Sequence, residues 1–350
     1  MKYLIDKLEQ DNVLSKFEWV NLISNRTPDL AGYLATRARF VRQQHYGYYT
    51  YMRGLIELTN YCKQNCYYCG IRKENLAVER YRLSHQEILA CCVEGYELGF
   101  RTFVLQGGED NFYTDKELTT LLQSIHKRYP DCAITLSLGE RSKESYHALF
   151  DAGANRYLLR HETANHEHYR RLHPTGLSAT TRKQCLQDLK EIGYQVGTGF
   201  MVGSPFQTAE HLAEDMLFLK ELNPQMIGIG PFIPHHATPF REYPAGTLEL
   251  TLFMISLLRL MLPKVLLPST TSLGTIAPDG RERGILAGAN VIMPNLSPTA
   301  VRKNYLLYDN KICTTDEAVQ SFERAKQSME VIGYPLTIAR GDSLNVEKDI

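Results

Sequence analysis

Arg101-Thr102-Phe103-Val104-Leu105-Gln106-Gly107-Gly108-Glu109-Asp110 changes character halfway along. A β-forming apolar run, residues 101–106, gives way to a glycine pair and two acids. Such a run reads as a buried parallel strand ending at a polar mouth. Ahead of it lies a helix-like segment, 84–98, opened by Ser84 with Glu87 three residues later, a reciprocal capping pair. Gly99 then stands where a left-handed helix end calls for glycine.

This unit recurs along the chain. Strand-like runs at 52–59, 133–138, 156–160, 195–202, 226–230, 264–270 and 290–293 alternate with helix-like segments such as 114–128, 181–192 and 208–222. Gly153 and Gly193 again fall just past helix ends. Eight strands alternating with helices predict an α/β fold, a (β/α)8 TIM-type barrel. An incomplete barrel of six repeats is the nearest alternative. The reading assigns 1–50 to an N-terminal helical extension, 51–310 to the barrel and 311–350 to a C-terminal helical segment packing on it.

The unusual polar residues gather where the strands end. They are the Cys62 loop after the first strand, Gln106-Gly107-Gly108-Glu109-Asp110 after the second and Ser137-Leu138-Gly139-Glu140 after the third. Arg160-His161-Glu162-Thr163 follows the fourth, Ser269-Thr270-Thr271 the seventh and Met293-Pro294-Asn295 the eighth. Barrel enzymes assemble their sites at the carboxyl ends of the strands, so one active site is expected at this mouth.

Bulk composition excludes other classes. Lysine plus arginine equals aspartate plus glutamate at 39 each in 350 residues, so no net field draws the chain to nucleic acid. The most apolar stretch, 250–262, carries Arg259, is too short to span a bilayer and reads as a buried amphipathic helix. Asp6 and Lys7 interrupt any apolar signal core at the start, so a reducing cytoplasm is expected.

Within the first loop, Cys62-Lys63-Gln64-Asn65-Cys66-Tyr67-Tyr68-Cys69 spaces three thiols as C-x3-C-x2-C with no fourth ligand close by. A structural zinc site would need a distant fourth partner such as His85 or Cys91. Eight cysteines in a chain this long do not make a disulfide scaffold. Three soft thiolates on a tight loop suit an iron–sulfur cubane with one iron left open for a small molecule. The remaining candidates read as structural. His161, His166, His168 and His173 share no single helical face and suit solvated or hydrogen-bonding roles, and His235 with His236 falls in a proline-flanked loop. Cys91, Cys92, Cys132 and Cys185 read as small buried side chains.

The cysteine motif, with Tyr68 before its third thiol, and Gly107-Gly108-Glu109 beyond the second strand resemble the radical S-adenosylmethionine (SAM) superfamily. That resemblance implies a 4Fe–4S cluster on Cys62, Cys66 and Cys69. The SAM amino group would lie on Gly107, Gly108 and Glu109, where glycines admit backbone carbonyls and the acid supplies opposite charge. SAM cleavage at the cluster would give methionine and a 5′-deoxyadenosyl radical.

Longer stretches resemble one family. They are 103–110, 136–140, 157–165, 228–235, 270–276 and 288–295, within a likeness running from Arg53 to Cys313. The chain is similar to the HydE family of iron-only (FeFe) hydrogenase maturases. Biotin synthase and 3-methylornithine synthase share the barrel and the SAM machinery but match these stretches less well, and they set the alternative of a mutase or sulfur-inserting enzyme. An iron–sulfur carrier without SAM turnover is the non-enzymatic alternative, opposed by Gly107–Glu109.

The family implies an organometallic substrate, an iron complex carrying carbon monoxide, cyanide and cysteine. The radical would attack it and release the cysteine carbon skeleton, leaving a sulfur-bridged iron precursor for the diiron subcluster. Other hydrogenase maturases and an electron donor such as ferredoxin or flavodoxin are the implied partners, with no nucleic acid and no membrane. Matched positions assign Ser137, Glu162 and Arg182 to SAM beside Tyr68, and Arg160, Thr270, Thr271 and Met293 to the substrate end, with Tyr305 as a further lining residue. Arg160 can fork onto a carboxylate, and threonine hydroxyls can donate to cyanide. Some family members hold a second cluster on three C-terminal cysteines. Here Cys313 is the last cysteine, so one cluster per chain is expected.

Overall fold

The computed structural model describes residues 1–312 and 314–345. Three helices come first: α1 (Lys2–Asp11), α2 (Lys16–Ser24) and α3 (Pro28–Tyr46). Ser15 and Glu18 form a capping box at α2, and Thr27 caps α3 with Pro28 at its first position. The strands are β1 (Thr50–Met52), β2 (Gly54–Thr59), β3 (Thr102–Gly107), β4 (Ala133–Ser137), β5 (Arg156–Leu158), β6 (Gln195–Thr198), β7 (Met201–Val202), β8 (Met226–Ile227), β9 (Gly230–Pro231), β10 (Val291–Ile292) and β11 (Leu336–Thr337). Interleaved helices are α4 (His85–Glu97), α5 (Asp115–Arg128), α6 (Lys143–Asp151), α7 (His166–Leu172), α8 (Ala179–Ile192) and α9 (Ala209–Leu222). The later helices are α10 (Leu248–Met261), α11 (Thr271–Ile276), α12 (Gly280–Leu286), α13 (Thr299–Arg302) and α14 (Ala318–Val331).

The centre is a parallel sheet in the order β2-β3-β4-β5-β6-β8. Every residue of β2 is buried, as a strand covered on both faces requires. Single parallel bridges continue beyond this sheet: Met226 to Leu266, Pro268 to Val291 and Leu55 to Asn295. β1 pairs with both β10 and β11, and β7 with β9.

Most expected strands are shorter or divided: 133–138 and 156–160 each lose their last residues, and 226–230 splits into β8 and β9. The 52–59 run breaks at Arg53, and 195–202 breaks into β6 and β7 around Gly199 and Phe200. The 264–270 run makes only the bridges at Leu266 and Pro268, because proline has no N–H to extend a ladder. The 290–293 run keeps only Val291 and Ile292 as strand, ahead of Pro294.

Helices form where capping chemistry placed them. Ser84 and Glu87 close the box at α4, Thr114 and Glu117 do so at α5, and Gly193 ends α8 at φ 106°. α10 is buried on nearly every side rather than along one stripe. Its Arg259 donates to the carbonyls of Gly288, Pro263 and Val265, each at 2.8 Å, so a cation is held without exposure. Leu4, Leu8, Trp19, Leu22 and Leu34 join one apolar core with α9 and α10. Among the described residues no helix is long and apolar enough to cross a membrane.

The amino ends of the strands are covered by the segment after β11. Thr102 Oγ1 donates to the Arg340 carbonyl at 2.8 Å, Arg156 pairs with Asp342 at 2.7 Å, and Gln195 Nε2 donates to Asp342 at 2.9 Å. The carboxyl ends carry the polar loops.

Candidate active site at the carboxyl ends of the strands

The loop between β2 and α4 is long and has little apolar content, so polar staples hold it. Arg80 donates to four of its carbonyls: Asn60, Ile71 at 2.9 Å, Arg72 at 2.7 Å and Asn75 at 3.0 Å. Asn60 Nδ2 donates to Glu79 at 2.8 Å and to Asn304 at 2.7 Å, and the Gly70 N–H reaches the Leu307 carbonyl at 2.8 Å. The loop therefore keeps its shape through its own backbone and a strap around residues 304–309.

Cys62, Cys66 and Cys69 are free and half-buried. Burial first, then the neighbouring thiols, pushes Cys66 well up and Cys69 to about 12. Bound metal charge must displace those protons. Three thiols would leave a tetrahedral structural zinc one protein ligand short, whereas a cubane held by three thiolates keeps one iron open.

The β3 end packs directly on this loop. The Gly108 N–H donates to Thr59 O at 3.2 Å, and the Lys63 N–H donates to Glu109 O at 2.8 Å. A Cβ on Gly108 would fall 2.1 Å from the Tyr61 carbonyl and 2.8 Å from Cys62 Cβ, so only glycine fits there. The Glu109 carboxylate accepts from Gln64 Nε2 at 2.6 Å and from the Glu140 N–H at 3.2 Å, with Arg182 Nη2 at 3.7 Å. Arg182, on α8, also approaches Glu140 Oε1 at 2.7 Å. Burial raises the Glu140 carboxyl, and Arg182 opposes that rise. Register sets Ser137 opposite Gln106 on the neighbouring strand.

Tyr68 is fixed by a histidine. His173 Nδ1 lies 2.9 Å from the Tyr169 carbonyl, so it carries the proton, and Nε2 accepts from the Tyr68 hydroxyl at 3.1 Å.

Arg160 and Glu162 leave β5 together and pair at 3.1 Å between Nη2 and Oε2. Arg160 Nε and Nη2 are buried without an aligned hydrogen-bond acceptor, which leaves donors for a ligand. Thr270 Oγ1 lies 2.9 Å from Ser272 Oγ, and a Cβ on Gly230 would strike both hydroxyls. Thr271 opens α11, and its carbonyl accepts from Thr275 Oγ1. Met293 packs, partly buried, against the small apolar cluster of Tyr46, Met226, Leu266 and Val291. Tyr305 is buried, and its hydroxyl accepts from Gln106 Nε2 at 3.3 Å.

Of the histidines, His161, His168 and His173 are buried in hydrogen bonds, and His166 is exposed. His235 and His236 meet Asp309. There the Ala237 N–H donates to His235 Nδ1, and Asp309 accepts from the His236 N–H and lies 2.8 Å from its Nδ1. That is hydrogen-bond geometry for a turn. Cys313, on which the one-cluster expectation rests, lies outside the described residues.

Two functional candidates had escaped sequence reasoning. Glu57 and Lys311 form a buried pair at 2.6 Å beside Tyr305, and Asn295 Nδ2 donates to Glu57 at 2.9 Å. A carboxylate inside the apolar run Leu55-Ile56-Glu57-Leu58 was a visible signal for the first, whereas Lys311 is 254 residues away. His173 has the hydrogen-bonding role expected of it, and its partner Tyr68 is what the sequence did not show.

A cysteine loop seated on a glycine-acid strand end is the arrangement of a radical SAM enzyme, and residues 56–219 match the model of the Radical SAM superfamily. The [FeFe] hydrogenase maturase subunit HydE of Thermotoga maritima is 43% identical over 84% of this chain and 83% of that protein. A 3-methylornithine synthase of Methanosarcina acetivorans is 28% identical over 83% of this chain and 82% of that protein. The crystal structure of methylornithine synthase (PylB) superposes with a TM-score of 0.85 at 26% identity, covering 95% of this chain and 97% of that one. The chain belongs to the HydE family. Its cofactors are those of radical SAM enzymes, a 4Fe–4S cluster and SAM.

Proposed function

We propose that this chain acts in assembling the diiron subcluster of [FeFe] hydrogenase, on an iron–carbonyl–cyanide–cysteine complex. The observation that carries the reading is the seating of Gly108 and Glu109 on the Cys62 loop, where a cradle that any Cβ would fill adjoins three thiols. In this reading Cys62, Cys66 and Cys69 hold the cluster. Tyr68, Gly107, Gly108, Glu109, Ser137, Glu162 and Arg182 hold SAM. When bound, the pair supplies one-electron cleavage of the SAM sulfonium to methionine and a 5′-deoxyadenosyl radical.

The chain's own residues bind and orient. Glu109 meets the methionine ammonium while Arg182 and Gln64 fix the carboxylate. Arg160, ion-paired with Glu162 through Nη2, presents its guanidinium to the cysteine-derived carboxylate. Thr270 and Thr271 offer hydroxyls to cyanide, and Met293 closes the apolar side. The scaffold in this reading is a closed (β/α)8 barrel, supported by the bridges that carry the sheet from β8 through Leu266 and Pro268 to β10 and back to β2. Residues 1–50 and 311–350 are its extensions. Other hydrogenase maturases deliver and receive the iron complex, a ferredoxin or flavodoxin supplies the electron, and the setting is the cytoplasm.

The test is anaerobic. Reconstituted protein with reductant should form 5′-deoxyadenosine, and omission of this chain from a reconstitution with the other maturases should abolish hydrogenase activity. Full SAM cleavage by Cys66→Ala would remove the cluster assignment. Turnover of lysine or dethiobiotin in place of the iron complex would move the substrate to the mutase or sulfur-inserting class.

A further inference from the structure

Glu162 occupies a strained piece of backbone. Its φ is 64°, and the Thr163 N–H closes on the His161 carbonyl at 2.8 Å. A three-residue turn with that sign of φ is rare in a non-glycine residue, and its surroundings must offset the strain. One carboxylate stands against both ends of the turn, bonded to one and in polar contact with the other. Asp215, fully buried on α9, accepts the Ala164 N–H at 2.5 Å through Oδ1, and the same oxygen lies 3.4 Å from His161 Nε2.

On its other side, His161 meets Thr198. The His161 N–H donates to Thr198 Oγ1 at 3.2 Å, and that hydroxyl lies 3.0 Å from Nδ1. With the threonine proton given to Nδ1, the imidazole proton sits on Nε2, which stands 3.4 Å from Asp215 Oδ1 in a polar contact without hydrogen-bond alignment. The second oxygen, Asp215 Oδ2, is buried with no hydrogen-bond partner. Burial favours its neutral form, and His161 and the Ala164 amide oppose that. Such a group is costly inside a helix whose other inward residues, Leu212, Ala213, Met216 and Leu219, are apolar.

We propose that Asp215 is a positioning residue for the radical SAM site: through His161 and the Ala164 amide it holds the strained turn that presents Arg160 and Glu162 to the cavity. The inference rests on the assignment of Glu162 to SAM. Asp215 makes its contacts at the two ends of the turn and acts only through them.

A double-mutant cycle separates this role from general support of the fold. Glycine adopts the positive φ without strain, so Glu162→Gly removes the need for the clamp. The SAM dissociation constant is measured on the cluster-reconstituted full chain for wild type, Asp215→Asn, Glu162→Gly and the pair. Asp215→Asn alone should weaken SAM binding by about tenfold, and it should add nothing in the Glu162→Gly background. Equal weakening in both backgrounds, or none in the first, overturns the proposal. A second readout needs no SAM: the fall in melting temperature caused by Asp215→Asn should be smaller beside Glu162→Gly. If wild type fails to bind SAM, the site reading falls, and the melting comparison alone decides the clamp. If Asp215→Asn does not fold, rescue by Glu162→Gly supports the clamp, and failure in both backgrounds refutes it.

Discussion

Glu109 can reach its place only because Gly139 has no side chain. Gly139 sits at φ 77°, and a Cβ there would fall 1.9 Å from Glu109 Cγ. We expect Gly139→Ala to lose about 1–3 kcal/mol of stability and at least about tenfold in SAM affinity, read by denaturation and equilibrium binding. Gly176, at φ 103° with nothing within 4 Å, is the control. Gly176→Ala should cost stability and leave SAM binding unchanged, and equal SAM losses would disconnect Gly139 from Glu109. A second expectation concerns His168 and His173, which burial lowers to about 4 and about 3. The unfolded chain takes up their protons below about 6.5, so stability is full above that pH. It then falls as acid approaches the folded values, by about 1.4 kcal/mol per unit for each group. Urea titrations of the apo chain at pH 7 and pH 5 should show that loss, and His173→Phe should flatten it. The cysteines and Glu109 were legible because their partners lie nearby in sequence or at a recognisable strand end. The Asp215 contact was not, since 51 residues separate it from Ala164 and nothing local marks Asp215 as anything but a helix residue.

Elements were legible to the extent that local chemistry governs them. Caps and strand interiors followed from neighbouring residues, and the expected box at Ser84 is present. Ser84→Ala should cost about 1 kcal/mol by thermal or urea denaturation. The 264–270 and 290–293 runs shrank because Pro268 and Pro294 limit the ladder, a signal the apolar pattern masked. The strap after α13 was harder to foresee. It backs the cysteine loop at Asn60 and Gly70, and Lys311 anchors it to Glu57. Lys311→Met should destabilise the fold by about 3–5 kcal/mol, because Glu57 is left as an unpaired buried charge. Adding Glu57→Gln should recover most of that loss. A null effect of the single change would mean that the pair does not hold the strap.

At the scale of the molecule, the N-terminal helices share their apolar core with α9 and α10. Trp19 is the only tryptophan and is buried there, so its fluorescence reports on that junction. Its unfolding curve should coincide with that of far-ultraviolet circular dichroism, as for one cooperative unit. Separate midpoints would show the helices to be an independently melting layer. The alternation of strands and helices conveyed a parallel α/β sheet from sequence alone, whereas the cover over the amino ends of the strands joins residues as distant as Arg156 and Asp342. The Arg80 staple has a consequence for survival in air. Because four carbonyls of the cysteine loop are gathered by one guanidinium, the shape of the loop is set by the polypeptide itself. After oxygen removes a cluster held there and the thiols are re-reduced, iron and sulfide should restore it without a round of unfolding, with far-ultraviolet circular dichroism unchanged throughout.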